Sequence, residues 1–183
     1  MIKKTVVLLL SLCIFVLTSC SISDLRAGQL SKLTTEESEK IESMSEEIIR
    51  CLTEKDTDGF CKLFSEKARE EKEFNNQIEN VFSFFKCDGY TTADIDTTAG
   101  GGEHIEFGKR TEWYVMPEIK YIEVIVLSKD NADQMYNRYY QVYYDYQIID
   151  QENPELEGLN YFVLELLNLD ESVTVGVLPD RGE

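Results

Sequence analysis

The chain has 183 residues, with 35 Asp and Glu against 18 Lys and Arg, and its formal net charge at pH 7 is -17. Its 43% hydrophobic and 11% aromatic residues are enough to build the core of about one domain, which excludes a disordered acidic tail. So acidic a surface repels a phosphate backbone, and this argues against nucleic-acid binding.

The first nineteen residues have the form of an export signal. Lys3 and Lys4 are followed by thirteen mainly apolar residues, 5–17, which are too few for the roughly 20 that cross a bilayer. We therefore expect residues 1–19 to be a signal peptide. An uncleaved anchor helix is the alternative.

Residues 17–20 read Leu-Thr-Ser-Cys and resemble the lipobox of bacterial lipoproteins. The resemblance implies cleavage before Cys20, a diacylglycerol on its thiol, and usually a further acyl chain such as palmitate on the new amino terminus. Two or more chains make a stable anchor, because each buried methylene contributes about 0.8 kcal/mol. The predicted location is the extracytoplasmic face of the cell membrane. An ordinary secretory signal, in which Cys20 has no role, is the alternative.

Three cysteines remain in the mature chain, an odd number in a compartment that oxidises thiols: Cys51, Cys61 and Cys87. Cys51 and Cys61 lie about equally far on either side of a turn at Asp56 and could approach each other. We expect buried thiols and no required disulfide, because a domain of about 140 residues can build its own core. The sequence has no Cys-x-x-Cys and no Cys/His cluster, so neither a metal site nor a cofactor is expected.

A polar segment, residues 20–34, follows the signal and is expected to be a flexible tether. The first helix is predicted over 35–54, because Thr34 and Glu37 fit a capping box ahead of an apolar stripe. The stripe consists of residues at helical spacing: Ile41, Met44, Ile48, Cys51 and Leu52.

Two further helices are predicted before residue 90. Asp58 is the expected N-cap of the second helix, and the third runs over 74–86 with Gly89 as its stop signal. The inward residues are Phe60, Leu63, Phe64 and Ala68 in the second helix, and Ile78, Val81, Phe82 and Phe85 in the third.

From residue 90 the hydrophobic period changes from 3.6 to 2, which predicts a sheet. The expected elements are strands over 90–98, 105–116, 121–127, 136–149, 159–169 and 173–178, with a loop at 100–102, a bulge at Gly108 and a turn at 129–133. The fold class is therefore α+β, with three N-terminal helices packed on a curved antiparallel sheet in one domain over 35–178. Residues 179–183 are expected to be a tail.

Two resemblances refine this fold. Residues 52–68, LTEKDTDGFCKLFSEKA, look like the helix-turn-helix opening of cone-shaped nuclear-transport-factor-2-like domains. The lipobox, the glycines before residues 105–109, and residues 149–154 with Gly158 and Leu159 are similar to a family of Gram-positive lipoproteins numbered 5104 among domains of unknown function. The second resemblance covers about 35–178 and implies a fold and a location, without a reaction or site residues.

Three segments resemble chemical motifs only weakly. Residues 56–59, Asp-Thr-Asp-Gly, suggest a calcium loop, but positions six and twelve hold Cys61 and Lys67 where an EF-hand needs Gly and Glu. A capped turn between helices is preferred. The glycines at 100–102 lack the Lys-Ser/Thr of a phosphate loop, so a flexible hairpin loop is expected. His104 is the only histidine and is expected at the surface, without a catalytic role.

Six tyrosines lie within residues 136–146. Whether the residue number of each is even or odd assigns it to one or the other face of the sheet. If even-numbered residues face the helices, the inner face is apolar or aromatic in three strands: Ile122, Val124, Val126, Tyr140, Val142, Tyr144, Tyr146, Phe162, Leu164 and Leu166. The outer face then carries Tyr121, Glu123, Tyr139, Gln141, Tyr143, Asp145 and Glu165.

Both faces leave alternatives open. Tyr140, Tyr144, Tyr146 and Phe162 either pack in the core, with hydroxyls reaching water or backbone, or line a small apolar pocket. The outer tyrosines, which are Tyr121, Tyr139 and Tyr143, belong either to a solvated face or to an interface with a protein partner or a second copy of the chain.

The sequence thus favours a non-catalytic binding or scaffolding domain for a small apolar ligand or a protein partner. A small enzyme of isomerase or hydrolase type in the same pocket is the alternative. It would need a carboxylate or histidine on the inner face, whereas parity places Glu123, Asp145 and Glu165 outside.

Overall fold

The computed structural model describes residues 35–128, 134–167, 169 and 171–181. The predicted signal peptide and tether, with Cys20 and Thr34, and the predicted turn at 129–133 lie outside the described residues. The chain divides into two compact units, Met1–Glu39 and Lys40–Glu183. Of the first unit only 35–39 are described, and they are helical. The elements below otherwise belong to the second unit.

The helices are α1 over 35–54, α2 over Thr57–Leu63, α3 over Glu66–Arg69 and α4 over Phe74–Phe84. The predicted end of α1 at residue 54 is confirmed, and its stripe is buried except for Met44, which is half-buried. Lys55 closes α1 in a left-handed conformation with φ of 60°, and the N–H of Asp56 donates to the carbonyl oxygen of Cys51 over 2.9 Å.

The N-cap of α2 is Asp56, and the prediction of Asp58 was wrong. Because Lys55 redirects the chain, α2 begins directly after Asp56, whose Oδ1 accepts from the N–H of Gly59 over 2.8 Å. Arg50 donates to the other carboxylate oxygen over 2.8 Å, and this bond is the main cause of the lowered pKa of Asp56. Residues 56–59 form a capped turn between helices.

The predicted second helix is two helices, α2 and α3, separated at Phe64 and Ser65. The hydroxyl of Ser65 donates to Asn160 over 2.7 Å and accepts from the N–H of Ala68 over 3.1 Å, so it caps α3 and attaches it to the sheet. A Cβ on Gly158 would lie 2.7 Å from the nitrogen of Ser65, so only glycine permits this approach. This long-range attachment breaks the helix.

Helix α4 ends at Phe84, two residues before the predicted end, and Phe85 is extended. Gly89 does not stop it and instead begins the first strand. The predicted inward residues Ile78, Val81 and Phe85 are buried, and Phe82 is half-buried.

Within the described residues, five strands form one antiparallel sheet in the order β1-β2-β3-β4-β5. They are β1 over Gly89–Glu106, β2 over Lys109–Leu127, β3 over Met135–Asp150, β4 over Gly158–Leu166 and β5 over Glu171–Gly176, with a short 3-10 helix over Pro154–Leu156. The protein is α+β, and its helices pack on one face of this sheet around a common hydrophobic core.

The glycines at 100–102 belong to β1, so the predicted loop was wrong. A Cβ on Gly101 would lie 2.4 Å from the carbonyl oxygen of Tyr114, so the glycine allows the two backbones to approach closely. Gly108 is also corrected, because it forms a two-residue turn with Phe107, both at positive φ, rather than a bulge. The strands predicted over 90–98 and 105–116 therefore lie in one long hairpin.

The predicted parity is confirmed for residues 122–126, 140–146 and 162–166. Earlier in β2 the odd-numbered Trp113, Val115 and Ile119 are buried instead, because the pairing with β3 shifts between Ile119 and Ile122. The even-numbered residues of the predicted inner face are buried, except Tyr146, which is half-buried. Tyr121, Tyr139 and Tyr143 are 36 to 37% exposed on the outer face. Asp145 is the exception, because it is fully buried although its position is odd-numbered.

Arg181 explains the burial of Asp145. Its guanidinium donates to both carboxylate oxygens of Asp145 and to Gln147, and it lies 3.6 Å from the ring centroid of Tyr114. The described part of the predicted tail, 179–181, therefore returns to the outer face of the sheet at β2 and β3. Sequence pattern alone does not reveal this contact.

We expect Arg181→Met to destabilise the fold by about 3 kcal/mol, because it leaves the buried carboxylate of Asp145 without its cation. Urea unfolding of Arg181→Met, Asp145→Asn and the double variant measures the coupling. The double variant should lose less than the sum of the two single losses. Additive losses would mean that the ion pair does not hold the C-terminal segment.

Candidate functional site

The predicted pocket residue Tyr140 is a fully buried core residue that also ends α4. Its hydroxyl donates to the carbonyl oxygen of Phe84 over 3.2 Å and accepts from the N–H of Lys86 over 2.9 Å. Its ring packs against those of Phe84 and Phe85, with centroids 6.0 and 4.8 Å away. The end of α4 is therefore set by Tyr140, and not by Gly89 as the sequence suggested.

Tyr144 and Phe162 also lie in the core. The hydroxyl of Tyr144 donates to the carbonyl oxygen of Ile41 over 3.2 Å and accepts from Ser45 over 2.7 Å. Burial raises the pKa of Tyr144. Phe162 contacts the ring of Phe60 edge to face at 5.1 Å. The sequence left open whether these side chains pack in the core or line a pocket, and these contacts are those of core packing.

The outer tyrosines lie beside carboxylates on the exposed face of the sheet. The hydroxyl of Tyr139 donates to Glu123 over 3.0 Å, and Asn137 donates to the same oxygen over 2.7 Å. Tyr143 is paired across the strands with Glu118. Tyr143 also borders a hollow of about 150 Å³ that includes Met116, Pro117, Tyr161 and Leu178.

A larger cleft, of about 890 Å³, lies where α4 ends beside the end of β2 and the start of β3. We call it the basic cleft, and its lining consists of Lys55, Phe82, Phe85, Lys86, Cys87, Asp88, Val126, Leu127, Ser128, Tyr136 and Arg138. The sequence analysis did not identify it.

The hydroxyl of Tyr140 organises the rim of the basic cleft. It holds the backbone of Lys86, and it accepts from Nη1 of Arg138 over 3.3 Å. The guanidinium of Arg138 also lies 5.9 Å from the ring centroid of Tyr136. Arg138 is even-numbered, and a charged residue at an inner-face position is the one sequence signal that could have indicated the cleft.

The rim is unusually positive for so acidic a chain. Among the described residues, no carboxylate oxygen lies within 4.0 Å of the charged nitrogens of Lys55, Lys86 or Arg138. The carboxylate of Asp88 also lines the cleft, where its Oδ2 accepts from the N–H of Leu127 over 2.9 Å. The pKa of Arg138 is raised, chiefly by its hydrogen bond to Tyr140. This arrangement attracts anions.

Cys51, Cys61 and Cys87, the cysteines within the described residues, are free thiols in the structure. Cys51 and Cys87 are buried as expected, whereas Cys61 is only half-buried, which corrects the expectation for that residue. Burial raises the pKa of all three, to about 11 for Cys51. At neutral pH the thiol of Cys87, in the basic cleft, is therefore protonated and a weak nucleophile.

His104 is exposed on β1, and its Nε2 lies 3.4 Å from Oε1 of Glu106. Within the described part of the chain, no three His, Cys, Asp or Glu residues form a group that could hold a metal ion. No helix among the described residues is long and apolar enough to cross a membrane.

We expect Tyr144→Ala to cost about 3 to 5 kcal/mol of stability, because it leaves a core cavity and an unpartnered Ser45 hydroxyl. Tyr143→Ala should cost less than about 1 kcal/mol and should weaken association with a partner or second copy. Denaturant unfolding and analytical ultracentrifugation compare the two variants.

Tyr144→Phe is the matched control, since it keeps the ring and removes only the hydroxyl. Because the buried Ser45 hydroxyl then lacks this partner, the variant should lose about 1 to 3 kcal/mol. Equal destabilisation by Tyr143→Ala and Tyr144→Ala would contradict the assignment of the two faces.

A family model described as a domain of unknown function, DUF5104, matches residues 47–166, which run from α1 to the end of β4. No curated protein matches the chain. The match spans more than half of the 183 residues, and the chain therefore belongs to this family.

Proposed function

For this member of a family of unknown function, we propose a non-catalytic binding role at the extracytoplasmic face of the cell membrane. A lipid on Cys20 is the anchor, and the basic cleft is the ligand site. The observation that carries this proposal is a cleft of about 890 Å³ with aromatic walls and a positively charged rim. Its volume is in the range of small-molecule sites, roughly 300–1,000 Å³.

The lipid anchor is supported by the sequence Leu-Thr-Ser-Cys at 17–20 after a short apolar run. The order of elements, helices followed by an antiparallel meander, supports a nuclear-transport-factor-2-like domain, which the resemblance of residues 52–68 implies. In this proposal the ligand site lies at one end of the helical layer, and the inner tyrosines maintain its shape.

The chemistry of the cleft favours binding over the isomerase or hydrolase alternative. Its thiol, Cys87, has a raised pKa, and its carboxylate, Asp88, accepts a backbone hydrogen bond that ties it to β2. Neither is placed as an activated nucleophile or base. Two carboxylates considered for catalysis are also engaged on the outer face, because Asp145 pairs with Arg181 and Glu123 bonds to Tyr139.

The outer tyrosines support a second binding role, contact with a protein partner or a second copy. Three of them lie exposed on one face of the sheet, and the apolar hollow beside Tyr143 adjoins them. Tyrosine is enriched in the buried centres of interfaces because its ring is large and its hydroxyl can bond.

Labelling cells with an alkyne fatty acid tests the anchor. We expect the wild-type protein to take up the label and to fractionate with membranes, and Cys20→Ser to do neither. Unlabelled wild-type protein recovered from the medium would contradict the proposed location.

Thermal-shift screening of small amphipathic molecules, followed by NMR of the ¹⁵N-labelled protein, tests the cleft. We expect compounds that stabilise the fold to shift the amide signals of residues 82–88 and 126–128, which line the cleft. Stabilising compounds whose shifts map to other surfaces would reject the basic cleft as the ligand site.

A further inference from the structure

We propose that the basic cleft takes an amphipathic anion, a small molecule with one carboxylate or phosphate group on an apolar body. The anionic group lies between the side chains of Lys86 and Arg138, with Lys55 on the same rim, and the apolar body lies mainly against Phe82 and Tyr136. This inference rests on the proposed function and specifies its ligand.

Several cations outside the cleft form ion pairs with carboxylates. Arg50 lies within 2.9 Å of oxygens of three carboxylates, Glu47, Glu54 and Asp56. Arg110, Lys120 and Arg181 each pair with a carboxylate. Other described cations, such as the exposed Lys62 and Lys67, have no described carboxylate oxygen within 4.0 Å, so the lack of a partner alone does not define a site.

The rim of the basic cleft differs from these isolated cations, because three cations without a described carboxylate partner line one concave surface. Lys55, Lys86 and Arg138 have no carboxylate partner in the described part of the chain, although they come from the end of α1, the link after α4 and the strand β3. Cations left without counter-charges beside a concave surface are suited to a charged ligand, because an anion there gains charge-assisted hydrogen bonds.

The polar groups below the rim are hydrogen-bonded by the hydroxyl of Tyr140. The C-terminal end of a helix carries a partial negative charge, which would oppose an anion. Here the hydroxyl of Tyr140 donates to the last carbonyl group of α4, that of Phe84, and its oxygen accepts from Lys86 and Arg138. One buried hydroxyl therefore satisfies the carbonyl and orients Arg138.

The electrostatic influence of Lys55 extends into the cleft. Its charge partly offsets the burial that raises the pKa of Cys87. The described lining holds three cations, Lys55, Lys86 and Arg138, and one carboxylate, that of Asp88. Its charges therefore sum to a positive value that favours an anionic ligand.

The basic cleft also has an apolar wall. Phe85 and Val126 are almost fully buried, while Phe82 is half-buried and Tyr136 is 44% exposed. The apolar surface open to a hydrocarbon or aromatic body therefore belongs mainly to Phe82 and Tyr136, and burial of that surface adds affinity. A small inorganic anion would leave this wall unused.

Calorimetry tests the proposal with the full chain carrying Cys20→Ser. The ligands are four compounds with an eight-carbon chain, each below its micelle-forming concentration: octanoate, octyl phosphate, octanol and octyltrimethylammonium. We expect the two anions to bind about tenfold or more tighter than octanol, and the cation to bind weakest. Added salt should weaken the binding of the anions and leave octanol unchanged.

The cleft variant is Lys86→Gln with Arg138→Gln, and its control is Lys62→Gln with Lys67→Gln, which removes the same charge from exposed lysines of α2 and α3. We expect the cleft variant to lose about tenfold in affinity for octanoate and the control to bind as the parent chain does. If the loss of Arg138 disturbs the fold, Lys86→Gln alone remains, because its side chain is exposed.

The outcomes separate the two proposals. Octanol bound as tightly as octanoate, with no effect of the cleft variant, would overturn the anion preference and leave a ligand-binding cleft. The absence of binding by all four compounds would overturn the cleft as a site for small amphiphiles. Equal loss in the cleft variant and its control would show that only net charge matters.

Discussion

The hydroxyl of Tyr140 is the contact on which the arrangement of helices and sheet at one end of the molecule depends. It is buried in β3, and it bonds to the carbonyl of Phe84, the N–H of Lys86 and the guanidinium of Arg138. Three hydrogen bonds use the full capacity of a phenolic hydroxyl as one donor and two acceptors. Because the first two bonds fix where α4 ends, they also fix where the chain turns towards β1. The basic cleft is the space left beside that turn.

A comparable constraint acts on the opposite face of the sheet. Asp145 occupies an outward position in β3, yet it is fully buried, because Arg181 covers it and stacks on Tyr114. A carboxylate in that position needs a cation, since burial without one is costly. The last described residues of the chain thus become part of the sheet's packing. The exposed tyrosines on the same face remain accessible, and the apolar hollow beside Tyr143 reaches Leu178.

Periodicity was sufficient to predict α1 and the two faces of the sheet, because burial of apolar side chains imposes a period of 3.6 or 2 whatever the distant partners are. It failed where a single long-range contact or a close backbone approach decides the local structure. The hydroxyl of Ser65 bonds to Asn160, and this contact ends one helix before the next begins. Gly101 lies in a strand because the backbone of Tyr114 comes so close that a side chain with a Cβ would clash. The candidate ligand site escaped prediction for the same reason, since Lys55, Lys86 and Arg138 meet only after folding.

The acidity of the whole chain and the basic cleft act over different distances. At physiological ionic strength charges are screened beyond about 8 Å, so the net charge of -17, which is distributed over the chain, contributes little at any one point. Groups that line one cleft lie within reach of the same small ligand, and their charges act on it directly. An acidic protein can therefore present a locally positive site. A surface of this acidity repels nucleic acids and anionic lipids, whereas in the proposed function the preference for a small anion depends on the residues of the cleft.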